Sequence, residues 1–139
     1  MNSVLEEQII ISLGSNLGDR LNALYKALAL LEAYPISIKL LSKVYETPAW
    51  GFKGDPFYNA CVSIKTKLKP KDLLEVLLKV EKTMGRLNSK GKGYSSRTID
   101  LDLLFYKSKN IFSAKLKVPH PKLHKRNFVL APLCEIAPK

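Results

Sequence analysis

Apolar residues fill the stretch from Gln8 to Leu13, a run of strand length, and Gly14-Ser15-Asn16 follow as its end. Leu21, Leu24, Leu28 and Leu31 then recur at steps of three and four. That spacing predicts an amphipathic helix over Asp19 to Ala33, capped by Asn16 or Asp19 and ended by Pro35. Ile36 to Glu46 and Phe57 to Lys67 are rich in strand-favouring residues and predict two further strands. Between them, Thr47 to Pro56 holds Pro48, Gly51, Gly54 and Pro56, which marks a loop carrying Trp50 and Phe52. Pro70 suits a first helical position, Leu73, Leu77, Val80 and Met84 follow at helical spacing, and Gly85 is a natural stop. Leu87 to Ser96, rich in Gly, Ser and Lys, predicts a mobile loop, and Thr98 to Tyr106 the last strong strand. The remainder reads as an irregular tail with Val118-Pro119-His120-Pro121 and an apolar patch from Phe128 to Leu133.

The order strand, helix, strand, strand, helix, strand is the ferredoxin-like βαββαβ pattern of the α+β class, with helices packed against a mainly antiparallel sheet. No repeat, linker or low-complexity tract divides the chain, so residues 1–139 are expected to form a single domain. A hydrophobic fraction of 46% supplies a core without disulfides or structural metal. Cys61 and Cys134 lack metal-ligand or CxxC spacing and are expected as reduced thiols, which suits the cytoplasm. The N-terminus has an acidic character unlike a signal peptide, and no apolar run approaches membrane-spanning length, so a soluble protein is expected.

Charge adds a polyanion preference. The chain carries 23 Lys plus Arg against 12 Asp plus Glu, a formal net charge of +11, which suits nucleic acid, a nucleotide triphosphate or an acidic surface. A lysine-rich solvated surface accounts for the same number.

Arg97-Thr98-Ile99-Asp100-Leu101-Asp102-Leu103-Leu104 changes the picture most. In a strand, Asp100 and Asp102 share one face, while Ile99, Leu101 and Leu103 share the other. The two aspartate Cα atoms should lie about 6.5 Å apart. Neighbouring carboxylates in an apolar strand need a compensating charge, and Mg²⁺ accepts one or two carboxylates completed by phosphates and water. An edge strand with a solvated polar face would satisfy an isolated D-x-D equally well. Here Arg86 and Arg97 flank the mobile loop, which also carries Lys90 and Lys92, and these cations can neutralise a triphosphate. His120 and His124 stand at i, i+4 but have no third ligand motif.

Several motifs together resemble a known family. Ile11-Ser12-Leu13-Gly14-Ser15-Asn16-Leu17-Gly18-Asp19-Arg20, Tyr45-Glu46-Thr47-Pro48, Asp55-Pro56-Phe57-Tyr58-Asn59-Ala60, Gly85-Arg86, Ser96 to Asp102, Val118-Pro119-His120-Pro121 and Arg126-Asn127-Phe128 occur in the order found in the 6-hydroxymethyl-7,8-dihydropterin pyrophosphokinases. The resemblance covers nearly the whole chain. It implies a ferredoxin-like fold, and attack of a pterin hydroxymethyl oxygen on the β-phosphorus of ATP with release of AMP in folate biosynthesis. It also implies two Mg²⁺ ions on Asp100 and Asp102. By the same resemblance Arg86, Tyr94, Arg97, Lys115, His120 and Arg126 fall on ATP-contacting positions, with Arg86 and Arg97 acting in catalysis. Thr47, Pro48, Phe57, Asn59 and Phe128 fall on the pterin pocket, with Trp50 and Gly51 in the loop closing over it. Phe57 and Phe128 can sandwich a flat pterin and the Asn59 amide can read its edge. The loops Thr47–Pro56 and Leu87–Ser96 are candidate lids. Asp102 is the favoured acceptor of the hydroxyl proton. The chain has Tyr94, Ser96 and Asn88 where the family often has tryptophan, proline and arginine, which changes the lid's phosphate contacts. Lys139 comes early for the family, a difference expected to affect packing rather than catalysis.

ATP and a pterin alcohol are therefore the expected partners of a monomeric enzyme, with neither nucleic acid nor membrane. The alternatives are an RNA-binding module, which would need an aromatic stacking platform on its central strands, and a small-molecule-sensing domain, which would need no paired aspartates.

Overall fold

The computed structural model describes residues 8–15, 19–47, 56–85, 99–107, 111–112 and 117–118. In chain order they form β1 (Ile9–Ser15), α1 (Arg20–Glu32), β2 (Ile36–Leu41), β3 (Tyr45–Thr47), β4 (Phe57–Thr66), α2 (Pro70–Thr83), β5 (Asp100–Tyr106), β6 (Ile111–Phe112) and β7 (Lys117–Val118). The main sheet runs β2-β4-β1-β5, with β3 also paired to β4. Every pairing in it is antiparallel. This is the ferredoxin-like arrangement, in which each helix carries the chain between strands that do not pair directly. The expected α+β class is therefore the observed one.

Local chemistry sets the helix ends. Asp19, rather than Asn16, is the N-cap of α1, where its Oδ1 accepts the Asn22 N–H at 3.1 Å. Pro70 opens α2, and Gly85 takes a φ of +92° just beyond its end, a conformation that a side chain would resist. Both helices bury a stripe against the same face of the sheet. Ala23, Leu24, Ala27 and Leu31 of α1 join Leu73, Val76, Leu77 and Val80 of α2 over Ile9, Ile11, Leu13, Val62, Ile64, Leu101 and Leu103. Each large aliphatic side chain buried there contributes roughly 1.5–3 kcal/mol. Leu21, which the periodicity assigns to this stripe, is instead 41% exposed, one turn before the helix settles onto the sheet.

Four expectations shift. β1 continues through Gly14 to Ser15, because Gly14 pairs with Asn59 on one side and Asp100 on the other. The strand expected over Ile36 to Glu46 is two strands. Its break is held by Ser42, whose N–H donates to the Cys61 carbonyl and whose Oγ accepts the Cys61 N–H, each at 2.9 Å. A side-chain hydroxyl thus replaces a backbone partner in the ladder. β5 begins at Asp100, and Leu104 is its extra bulged residue, since Ile10 pairs with Phe105 and Ile11 with Leu103. In the tail, expected to be irregular, β6 and β7 form a small antiparallel pair. Cys61 is a buried thiol outside any disulfide, as expected.

Candidate active site

Alternation along each strand leaves the second face of the sheet with a different character from the first. Cross-strand partners share a face, so the pairings lay out two rows. Asp100, Gly14, Asn59 and Tyr45 form one row, in register across β5, β1, β4 and β3. Asp102, Ser12 and Cys61 form the next. Strand spacing puts Asp100 and Asn59 roughly 10 Å apart at their Cα atoms. The aspartates are partly buried, while Leu101 between them is turned into the core, as expected. Asp100 and Asp102 are thus brought together with Asn59 on one floor, and Thr47 and Phe57 are register partners at its edge.

Gly14 is the floor itself. A Cβ at that position would stand 3.1 Å from Asn59 Oδ1 and 3.6 Å from Phe57 Cδ1. Glycine inside a strand marks close approach of another group, and here it lets the Asn59 amide and the Phe57 ring lie down over β1. The Asn59 side chain is buried, and its Nδ2 donates to the Tyr45 and Phe57 carbonyls at 3.5 Å each, the long end of hydrogen bonding. Cys61, in the neighbouring row, cannot serve as a nucleophile near neutral pH, because burial pushes its thiol up to about 12.

Sequence reasoning missed Glu81. It stands on the buried face of α2 with only 4% of its surface exposed, and its Oε2 accepts the Leu101 N–H at 2.8 Å. That N–H lies between the two aspartates, on the side of β5 facing away from β1. A hydrogen bond from helix side chain to strand backbone thus fixes the segment from which both carboxylates project. The available signal was an acidic residue inside the stripe Leu77, Val80, Met84. Pro48, Trp50, Gly51, Arg86, Tyr94, Arg97, Lys115, His120, Arg126 and Phe128 lie outside the described residues, as do His124 and Cys134.

Two oxygen-donor carboxylates on one face fit Mg²⁺, which leaves the rest of its shell to phosphate and water. Among the described residues no third His, Cys, Asp or Glu joins a metal-binding group with them. A closed structural zinc site is thus not built from them.

The family model for 7,8-dihydro-6-hydroxymethylpterin-pyrophosphokinase matches residues 10–138. The chain is 41% identical over 133 residues to a 2-amino-4-hydroxy-6-hydroxymethyldihydropteridine pyrophosphokinase of Porphyromonas gingivalis, covering 94% of this chain and 90% of that protein. It is 44% identical over 131 residues to the protein of the same name from Aquifex aeolicus, covering 94% and 80%. Against a folate synthesis bifunctional protein of Arabidopsis thaliana it is 46% identical over 131 residues, 94% of this chain but 27% of that one. A crystal structure described as HPPK-DHPS in complex with substrates superposes with a TM-score of 0.70 at 14% identity, over 94% of this chain and 40% of that chain, a likeness of fold. No helix among the described residues is long and apolar enough to cross a membrane.

Proposed function

The chain belongs to the 7,8-dihydro-6-hydroxymethylpterin-pyrophosphokinase family, and from that premise we propose that it transfers diphosphate from ATP to the hydroxymethyl group of 6-hydroxymethyl-7,8-dihydropterin, releasing AMP, in folate biosynthesis. The observation that carries the reading is the row Asp100, Gly14, Asn59, which sets an acidic phosphate-handling end beside an amide suited to a heterocycle.

In this reading the pterin lies over Gly14 with its edge on the Asn59 amide, which offers both donor and acceptor. Phe57 covers one ring face, and Thr47, Pro48 and Phe128 complete the pocket, with Trp50 and Gly51 above it. The hydroxymethyl group then points toward Asp100 and Asp102. Its oxygen forms a bond to the β-phosphorus as the bond from that phosphorus to the oxygen retained by AMP breaks. The hydroxyl proton passes to Asp102. Asp100 and Asp102 would hold two Mg²⁺ ions, which neutralise polyphosphate charge and acidify the hydroxyl when bound. Arg86, Tyr94, Arg97, Lys115, His120 and Arg126 bind ATP, with Arg86 and Arg97 stabilising the charge that develops on transfer. Glu81 acts from behind the sheet, keeping β5 in place. The enzyme works as a cytoplasmic monomer in this reading.

The RNA-binding alternative has little to stand on. On this face the central strand β1 presents Ile10, Ser12 and Gly14, none of them aromatic, β4 presents Phe57 before Asn59, Cys61 and Ser63, and Asp100 and Asp102 of β5 would repel a phosphate backbone.

The deciding assay follows AMP from ATP. Release should require the pterin alcohol and Mg²⁺ together and stop on chelation with EDTA. Asp100→Ala and Asp102→Ala should each lower kcat by about a thousandfold or more, the scale of losing several kcal/mol of charge stabilisation. Near wild-type turnover in both variants would dismiss the metal assignment, and AMP release without the pterin alcohol would dismiss the reaction.

A further inference from the structure

Arg20, the first residue of α1, closes the motif that opens the chain's resemblance to the family, yet it takes no part in the site just described. Its Nη1 donates to the Pro56 carbonyl at 2.8 Å. Its guanidinium carbon stands 4.2 Å from the centroid of the Tyr58 ring. The same Nη1 lies 3.8 Å from Glu46 Oε2. One guanidinium thus touches the last strand positions before residue 47 and the first positions after residue 55.

The contacts come from the reverse of the sheet. Glu46 and Tyr58 are register partners and share a face, and the Tyr58 ring packs against the core beneath the helices. The residues on either side of Tyr58, namely Phe57 and Asn59, turn the other way, over Gly14. Arg20 therefore never meets a ligand on the site face. It holds the backbone from which that face is presented.

The three contacts differ in weight. Glu46 is more than half exposed, so its ion pair is screened and contributes little. The charged hydrogen bond to a carbonyl and the stacking on Tyr58 are stronger, because the Arg20 side chain is largely covered. A planar fork can make both at once, and a lysine ammonium cannot.

The geometry points to Arg20 as a positioning residue for the pterin. By tying Pro56 and Tyr58 to the start of α1, it fixes the register Thr47 with Phe57 and Tyr45 with Asn59, from which the pterin contacts emerge. Asp100 and Asp102, on the far side of β1, are outside its reach. The inference deepens the pterin reading and rests on it.

Steady-state kinetics with ATP and 6-hydroxymethyl-7,8-dihydropterin, alongside thermal melting, separate the possibilities. Arg20→Ala should raise the pterin KM about tenfold, the loss of one charged hydrogen bond, with the ATP KM and the kcat at saturating pterin within about twofold of wild type. Arg20→Lys should fall between, since it keeps a donor but loses the stacking. Glu46→Gln should stay within about twofold throughout. Arg20→Ala combined with Tyr58→Leu should raise the pterin KM by less than the product of the two single effects, because the residues act as a unit. If Arg20→Ala does not fold, Arg20→Lys carries the same test of selectivity for the pterin KM. An unchanged pterin KM in a folded variant overturns the inference, and so does an equal rise in both KM values with a matching fall in kcat. A wild-type protein that releases no AMP with the pterin alcohol instead overturns the functional reading on which it stands.

Discussion

A single methyl group at position 14 tests how the floor of the site works. Gly14→Ala places a Cβ 3.1 Å from Asn59 Oδ1, tighter than ordinary van der Waals contact, and 3.6 Å from Phe57 Cδ1. Backbone strain is not the issue, because Gly14 lies in regular strand between two partners. The side chains above it must give way, and these are the amide and ring assigned to the pterin. The variant should fold with a melting temperature within a few degrees of wild type, yet bind the pterin alcohol about tenfold more weakly, as one misplaced hydrogen-bonding group implies. Titration calorimetry reads the effect directly, and unchanged affinity would remove Gly14 and Asn59 from the floor of the site. In the sequence, Gly14 reads as the end of a strand and as one position of the Ile11–Arg20 motif. Strand pairing, not local propensity, made it the floor.

Between α2 and β5, one contact joins a helix to the strand that carries the aspartates. Glu81 is buried among Leu77, Val80 and the core side of β5, where it accepts the Leu101 N–H. Glu81→Ala leaves that donor buried and unmatched, at a cost of about 1–3 kcal/mol. Glu81→Gln keeps an acceptor oxygen and should recover most of the stability. Urea unfolding of the two variants orders them, and equal midpoints for alanine and wild type would mean the bond does not anchor β5. The elements themselves were largely legible, since the 3.6-residue and two-residue periods around Asp19–Ala33, Pro70–Gly85 and Thr98–Tyr106 need only local information. The break at Ser42–Val44 was not, because it depends on Ser42 bonding to Cys61 across the ladder.

At the scale of the whole molecule, the buried thiol of Cys61 and the hydroxyl of Tyr106 make stability fall at alkaline pH. Burial raises both, the thiol from 9.0 to about 12, and the Tyr106 hydroxyl also donates to the Leu68 carbonyl. The native state therefore holds protons that the unfolded chain releases. For Cys61 this contribution is complete below pH 9 and is lost as pH rises toward 12, so its share of the stability should fall by about 1 kcal/mol at pH 10. Urea midpoints at pH 8 and pH 10 measure this, and Cys61→Ala should shallow the decline. A decline just as steep in Cys61→Ala would exclude the thiol as its source. The sequence alone determined the α+β class, the run of strands and helices, and a shared face for Asp100 and Asp102, because alternation and helical spacing are properties of neighbouring residues. Only the tertiary structure decided that Gly14 and Asn59 stand across from Asp100, that Glu81 grips β5, and that Arg20 ties Pro56 to Tyr58. Those relations join segments distant along the chain, and they are fixed by strand register and helix docking, which no local pattern of side chains encodes.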